Sequence, residues 1–307
     1  MVTSGAVAAK EGTTSPIRQS ARGSVNTRAV ARLAGRLFIH ALLIAGSLAM
    51  MLPMLWMIST SLKPTGQEWV FPPRWIPRPV QWRNYVDFAK VLPVPFYRYV
   101  LNTLTITVFA TLGTLVTSSL AGFAFARLRF WARDKVFFLV ISTMMLPGAV
   151  TLVPTFLIFR YLGWLNTFLP LTVPYWLGGT PFSVFLFRQF FMTLPYELDE
   201  AARMDGASNF WIYYRIALPL SIPALISVLI FQVLDHWNAF MGPLIYLNSM
   251  HKYTLSLALR VFQNERSQRV NLLMAASMMQ VLPVIIFFFT AQRYFIKGIT
   301  LTGLSGR

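Results

Sequence analysis

The sequence has no cysteine and few charged side chains. Without cysteine, the 307-residue chain can form neither disulfide bonds nor thiolate-based catalytic or metal sites. Only three histidines are present, which argues against a metal centre. Charged residues make up 12% of the chain, whereas soluble domains contain about 25%. These few ionic groups cannot cover the whole surface of a protein in water. We therefore expect part of the surface to face lipid.

Apolar residues dominate what remains. Hydrophobic residues make up 56% of the chain, and the mean hydropathy is +0.56. They are concentrated in runs without Lys, Arg, Asp or Glu, each close to or above the roughly 20 residues that a membrane-spanning helix needs. The runs cover residues 37–62, 99–126, 136–159, 161–187, 216–234 and 270–292. The sequence therefore predicts an all-α polytopic membrane protein with six transmembrane helices.

The third run is the least regular of these segments. Pro147 and Pro154 interrupt it, and Gly148 follows the first of them. Proline lacks a backbone donor and clashes with the preceding turn, so it ends or kinks a helix unless neighbours satisfy the freed carbonyl. We expect the third helix to end near Leu146.

The distribution of basic residues predicts the orientation. Basic residues outnumber acidic ones, 27 to 10, which gives a formal net charge of +17. Because they lie between long apolar runs, they indicate membrane topology rather than a nucleic-acid-binding surface. With the N-terminus inside, 16 of the 27 fall in cytoplasmic segments, with four of those packed into residues 127–135. Both termini are therefore predicted to be cytoplasmic.

Two segments lie outside the predicted helices at the N-terminal end. Residues 1–36 are rich in Ser, Thr, Ala and Arg, and we interpret them as a flexible cytoplasmic tail, with an organelle transit peptide as the alternative. Residues 37–307 form the six-span domain. Its outer loop, residues 63–98, contains seven prolines and three tryptophans. The prolines exclude a regular helix or strand there, and the tryptophans suit the headgroup level of a membrane.

The segment from Thr193 to Leu220 differs from the other predicted cytoplasmic loops because it contains four of the ten acidic residues. Pro195 suits the first turn of a short helix, and the acidic residues that follow suit its dipole. Gly206 is a natural left-handed stop, after which Ser208 or Asn209 can cap a second helix that ends near Pro219. The small pair Ala201-Ala202 is expected to leave one face flat enough to enter a cleft of another protein.

The residues of this segment also form a recognisable motif. It reads Glu200-Ala201-Ala202-x-x-Asp205-Gly206-Ala207, then eight residues, then Ile216-x-Leu218-Pro219. This pattern resembles the EAA motif of ABC importer permeases at every signature position. The likeness extends over residues 40–307 and is greatest for the carbohydrate importers, in particular the smaller permease of the maltose type. It rests further on Asn102-Thr103-Leu104, Ala121-x-x-Ala124-Phe125-Ala126-Arg127, Pro147, Phe185 to Phe191, Trp237-Asn238-Ala239-Phe240 and Gln292 to Gly298.

The resemblance implies a type I ABC importer permease fold in the plasma (inner) membrane of a bacterium or archaeon. It implies four partner subunits or proteins: a second permease, two ATP-binding subunits and an extracytoplasmic solute-binding protein. The motif helix would dock on an ATPase. ATP and Mg²⁺ would bind in that partner, and this chain would have no cofactor, no metal and no enzymatic activity of its own. The sequence agrees, because it contains no phosphate-binding loop and no hydrolase motif.

Three residues near the end of the fifth run are candidates for the solute pathway. Asp235 is an acid inside an apolar run, which suggests a cavity or a partner; the alternative is a hydrated helix end. Trp237 and Asn238 are residue types that bind carbohydrates, although tryptophan also gathers at membrane interfaces.

Two other function classes compete with the permease prediction. An ion-coupled secondary transporter would need intramembrane acids in both halves and inverted repeats, and only Asp235 qualifies. A membrane enzyme would need convergent polar groups near one bilayer face, which the polar residues do not supply. The sequence does not identify the solute.

Overall fold

The computed structural model describes the backbone of residues 23–265 and 269–303 and the side chains of residues 30–263 and 269–292. Within these residues the chain is helical and forms no strand. It divides into two units, residues 1–56 and 57–307. The α-helices are α1 (Gly23–Ser61), α2 (Asn84–Val91), α3 (Phe96–Arg127), α4 (Arg133–Ser142), α5 (Gly148–Tyr161), α6 (Leu169–Thr172), α7 (Pro181–Thr193), α8 (Glu197–Met204), α9 (Asn209–Ile212), α10 (Leu218–Leu220), α11 (Ile222–Asn238), α12 (Met241–Tyr246), α13 (Leu255–Glu265) and α14 (Val270–Gly303).

Three helices of the described chain are long and apolar enough to cross a membrane, and up to five spans result if each of two bent helix pairs counts as one. The three are residues 30–61 of α1, α3, and residues 270–292 of α14. These agree with the first, second and sixth predicted runs. Helix α1 begins at Gly23, so it includes residues 23–36 of the predicted N-terminal tail. Residues 1–22 lie outside the described residues.

The third run is broken where the sequence predicted a break. After α4, a 3₁₀ turn ends at Met145, and α5 begins at Gly148 with an axis that differs by 102°. Leu146 is extended, with ψ 119°, because the residue before a proline is driven out of the helical region. The prediction for Leu146 is confirmed. Pro154 lies inside α5 and does not end it.

The prediction of one long helix over residues 161–187 is wrong. Gly163 and Asn166 have positive φ angles, 69° and 58°, and end the regular backbone before α6. After a 3₁₀ turn, Gly178 and Gly179, both with positive φ angles, interrupt the helical backbone again, and α7 starts only at Pro181. Uncharged length indicated a helix here, but these turn residues divide it. The fifth run likewise starts later than predicted, since α11 begins at Ile222 rather than 216.

The outer loop contains a helix, contrary to the expectation from its prolines. The prolines lie before Gln81 and after Leu92, which leaves room for the proline-free helix α2 between them. Asn84 at its start donates to the carbonyl oxygens of Ser61 and Lys63 at 2.8 and 2.9 Å. Asn271 at the start of α14 donates to the same Lys63 carbonyl at 3.2 Å. These bonds join the loop to two helices.

Lys63 itself is buried in this junction, with 1% of its surface exposed. Burial lowers the pKa of its ammonium group, and the carboxylate of Glu68 acts in the opposite direction. The two buried charges therefore belong to one polar junction between the loop and the helices.

The core is organised around α3, which packs against α7 and α11. Small residues permit the close approach to α7: a Cβ atom added at Gly122 would lie 2.6 Å from Cβ of Phe187. Around this contact lies a buried aromatic cluster that contains Phe123, Phe187, Phe191 and Tyr213. A second cluster, which includes Phe88, Tyr99, Trp237 and Phe262, fills the space between α2, α3, α11, α13 and α14.

Candidate functional site

The segment that carries the motif forms two short helices joined by a left-handed turn. Gly206 has φ +84°. Its backbone N–H donates to the carbonyl of Arg203 at 3.0 Å, and that of Ala207 donates to the carbonyl of Ala202 at 2.9 Å. These are the two bonds of a Schellman motif, which ends α8. The prediction that Gly206 stops the first helix is confirmed, although α8 begins at Glu197, two residues after Pro195.

The second helix begins with a side-chain cap. Ser208 Oγ accepts a hydrogen bond from the backbone N–H of Trp211 at 3.2 Å, as predicted. The helix continues through a π-helical turn, Tyr213–Ala217, and through α10 to Ser221. The axis then bends by 76° into α11. We call residues 197–220 the elbow.

A buried ion pair holds the inner side of the elbow, and no pattern in the sequence indicates it. Arg127, the last residue of α3, has Nη1 3.5 Å from Oδ2 of Asp199, and both side chains are about nineteen-twentieths buried, at 4% and 5% exposure. Nη2 of Arg127 donates to the carbonyl of Leu194 at 2.6 Å. The guanidinium also lies 5.7 Å from the ring centroid of Tyr196. Asp199 was expected only as a dipole-favoured acid of the first turn.

The two alanines of the motif face in different directions. Ala202 is 7% exposed and belongs to the aromatic cluster with Phe123 and Tyr213. Ala201 is exposed. The expectation that both alanines lie on one free face is therefore wrong for Ala202, because α8 turns this residue toward the core together with Asp199, three residues before it.

The other motif residues mark the exposed side of the elbow. Glu200, Asp205, Gly206 and Pro219 are exposed, and Ala207, Ile216 and Leu218 are half-buried. A groove of about 660 Å³ runs along this side. It is lined by Leu198, Ala201, Ala202, Asp205, Gly206, Ala207, Ser208, Trp211 and Ile216. An added Cβ at Gly206 would meet no atom within 4 Å. The groove therefore has an apolar, small-residue floor that no part of the described chain fills.

A second and more polar groove lies on the opposite side of α8. Its volume is about 910 Å³, and it runs between the elbow and the loop that follows α3. Arg129 and Arg203 bring positive charge to it, and Glu200 brings negative charge. The elbow thus offers two chemically different surfaces, one apolar and one ionic.

The three candidates for the solute pathway have different surroundings. Asp235 and Asn238 are exposed, and Asn238 donates to the carbonyl of Leu234 in its own helix at 2.8 Å. Trp237 is 6% exposed, belongs to the core, and donates its indole N–H to the carbonyl of Gln280 at 3.1 Å. Trp237 therefore packs α11 against α14, and only a small part of its side chain is exposed.

Comparison with known proteins gives a consistent family. Residues 115–301 match the family model described as "Binding-protein-dependent transport system inner membrane component". The arabinooligosaccharides transport system permease protein AraQ of Bacillus subtilis is 36% identical over 211 residues, which cover 69% of this chain and 74% of AraQ. The diacetylchitobiose uptake system permease protein DasC of Streptomyces coelicolor is 30% identical over 89% of this chain and 99% of its own.

A solved structure shares the fold. It is the crystal structure of a bacterial ABC transporter involved in the import of the acidic polysaccharide alginate, with a TM-score of 0.74 at 23% identity. The match covers 86% of this chain and 97% of that one. The chain belongs to the family of binding-protein-dependent transport system inner membrane components, and it resembles the permeases of the carbohydrate branch.

Proposed function

We propose that this chain is one of two permease subunits of an ATP-driven importer. It forms half of the solute pathway and takes up a sugar or sugar-like solute. It crosses the plasma (inner) membrane six times with both termini in the cytoplasm, and the fourth crossing is made by the interrupted segment from α6 to α7 rather than by one long helix. Two ATP-binding subunits lie below it, and a solute-binding protein delivers the solute from outside. This last partner is supported by a related alginate transporter whose structure is described as a complex with a periplasmic protein.

The observation that carries the proposal is the open groove of the elbow. Its floor residues Leu198, Ala201 and Gly206 are exposed, and a contiguous exposed apolar surface marks a site of interaction with another molecule. The inner side of the same helix is fixed by Arg127 and Asp199. A helix that is rigid on one side and open on the other suits docking on a separate protein.

In the proposed mechanism, ATP-driven closure of the motor subunits displaces the elbow. The Schellman turn at Gly206 sets the angle between α8 and α9, so a movement of one short helix is passed to the other. The displaced elbow rearranges the spanning helices and exposes the pathway alternately to the two sides of the membrane. No step of the hydrolysis uses a residue of this chain.

An ion-coupled secondary transporter has less support. Its mechanism needs acids within the spanning helices of both halves. In the described spans, Asp235 lies near the outer end of α11, three residues before its end at Asn238, and it is exposed. An exposed carboxylate at a helix end does not require an ion-coupling role.

The elbow can be tested with two variants of Gly206. Gly206→Val places a β-branched residue at φ +84°, which costs on the order of 1–3 kcal/mol in strain and changes the turn. We expect solute uptake by the reconstituted importer to fall by about tenfold or more while the chain still inserts. Gly206→Asn is the matched control, because asparagine tolerates positive φ and adds a side chain of similar size. We expect it to keep most of the uptake.

The pair of variants separates two roles of Gly206. Loss of uptake in both would mean that the docking partner needs the open space at this position. Normal uptake by Gly206→Val would contradict the coupling role of the elbow.

The proposed orientation has its own test, for which the absence of native cysteine is useful. Met204 on α8 is 88% exposed. In Met204→Cys, a membrane-impermeant maleimide should label inverted vesicles and spare intact cells. Labelling of intact cells would place the elbow outside and overturn the proposed topology.

A further inference from the structure

One arginine contacts the elbow and the residues before it at three places. Arg127 ends α3, forms the buried ion pair with Asp199, donates to the Leu194 carbonyl and lies over the ring of Tyr196. A guanidinium can do this because its planar group carries several donors that point in different directions, which an ammonium cannot match. The contacts fall just before α8 and in its first turn, so they fix both the position and the direction of this helix.

The elbow has further contacts with the same helix. Tyr213 in the π-helical turn shares a hydrogen bond with Ser119 of α3, with 2.8 Å between the two hydroxyl oxygens. The Tyr213 ring lies 5.4 Å from that of Phe123, also on α3. Both α8 and the helix that follows Gly206 are thus attached to the last three turns of α3.

The ion pair is an unusual way to hold two helices together. Removing two charges from water is costly, and well-packed apolar residues of similar size stabilise a protein equally well or better. What Arg127 provides instead is direction, because its 2.6 Å charge-assisted hydrogen bond to the Leu194 carbonyl acts only over a narrow range of distance and angle. Its burial therefore points to control of geometry rather than to stability.

We propose that Arg127 is a positioning residue that joins the elbow and the inner end of α3 into one rigid body, so that a displacement of the elbow moves α3. This inference rests on the proposed function for its driving force. α3 is the helix against which α7 and α11 pack, so its movement reaches the rest of the described core. The chain connection from the elbow to α11, in contrast, passes through the bend at Ser221.

The test measures the contact of Arg127 and Asp199 between α3 and the elbow, here called the joint, in the full chain within its importer complex. Spin labels at Met204→Cys and Leu120→Cys, on exposed positions of α8 and α3, report the distance between the two elements. Three backgrounds are compared with the unmodified one: Arg127→Met with Asp199→Leu, Arg127→Lys, and Lys135→Met as a control. Lys135 is an exposed cation in the first turn of α4 and has no part in the contact between Arg127 and the elbow. Uptake per ATP hydrolysed is measured on the same samples.

The apolar double variant removes the joint without leaving a buried charge alone. We expect it to assemble and hydrolyse ATP, to show a broadened distance distribution, and to lose uptake per ATP by about fivefold or more. Arg127→Lys keeps the charge but not the geometry and should be intermediate. Lys135→Met should match the unmodified chain in both measurements.

A narrow distribution with unchanged uptake per ATP in the double variant would overturn the inference. If the double variant does not assemble, the test rests on Arg127→Lys. A distance distribution and an uptake per ATP equal to those of the unmodified chain would then count against the inference. Failure of the proposed function is a different result. In that case the unmodified complex shows no solute uptake coupled to ATP hydrolysis, and the distance distributions of the variants still test whether Arg127 holds the two elements together.

Discussion

Two long helices of this chain, α3 and α14, pass the same test for membrane crossing but differ in how they are buried. In their most apolar stretches, 50% of α3 is buried within the chain and only 17% of α14. The buried side of α3 carries Thr107, Thr111, Thr114, Ser118 and Gly122, a row of small residues at helical spacing. The outward side of α14 carries Ile286, Phe288 and Phe289, which are large and exposed.

The difference follows from the physics of helix packing in lipid. Lipid tails are as apolar as Leu or Phe, so large apolar residues gain nothing by turning inward. Small residues instead allow two backbones to approach and form dispersion contacts and interhelical hydrogen bonds. In this chain, small and weakly polar residues within a span therefore mark contacts with other helices. The exposed large apolar residues of α14 mark a surface left for lipid or for another subunit.

The largest expected effect is at Gly122, where α3 and α7 touch. In Gly122→Ala, the new Cβ would lie 2.6 Å from Cβ of Phe187 and 2.9 Å from the backbone nitrogen of Arg188. We expect a loss of about 2 kcal/mol in stability and a clear drop in the melting temperature of the detergent-purified protein. Gly148→Ala is the control, since a Cβ there meets nothing within 4 Å. Equal melting temperatures for the two variants would contradict the conclusion that small residues of α3 mark close contacts with other helices.

A smaller effect is expected where α14 does make a polar contact. Trp237→Phe keeps an aromatic ring but removes the indole donor to the Gln280 carbonyl. The variant should lose about 1 kcal/mol in stability and retain uptake. A selective loss of uptake, with an unchanged melting temperature, would support Trp237 as a residue of the solute pathway.

The smallest effect is expected at Thr111, whose buried hydroxyl has no hydrogen-bond partner among the described residues. Thr111→Val replaces that hydroxyl by a methyl group of similar shape, so stability should stay the same or rise by up to about 1 kcal/mol. Phe289→Ala on the exposed side of α14 should likewise leave the melting temperature in detergent unchanged. A large loss of uptake in Thr111→Val alone would show that this hydroxyl contacts the solute.

Local signals in the sequence predicted much of the elbow and several helix boundaries. Gly206 and Ser208 act through bonds to residues no more than four positions away, so their roles follow from turn and cap chemistry. Pro147 breaks its helix for an equally local reason. The motif itself could be placed by spacing alone.

Long-range contacts could not be predicted in the same way. Arg127 and Asp199 lie 72 positions apart by their residue numbers, and nothing in either local sequence indicates that they meet. The direction of Ala202 depends on where α8 begins, and a shift of two residues in that start turns the helix by about half a circle. The run 161–187 was misjudged because absence of charge carries no information about backbone angles such as those of Gly163 and Asn166.

At Ser221, the axis of residues 209–220 and the axis of α11 meet at an angle of 76°. Because the cosine of 76° is about one quarter, a thrust along the arm 209–220 projects only weakly onto the axis of α11. Nearly all of it acts crosswise, as a torque that tilts α11 in the plane of the bend. Such a push would tilt α11 rather than slide it along its own axis.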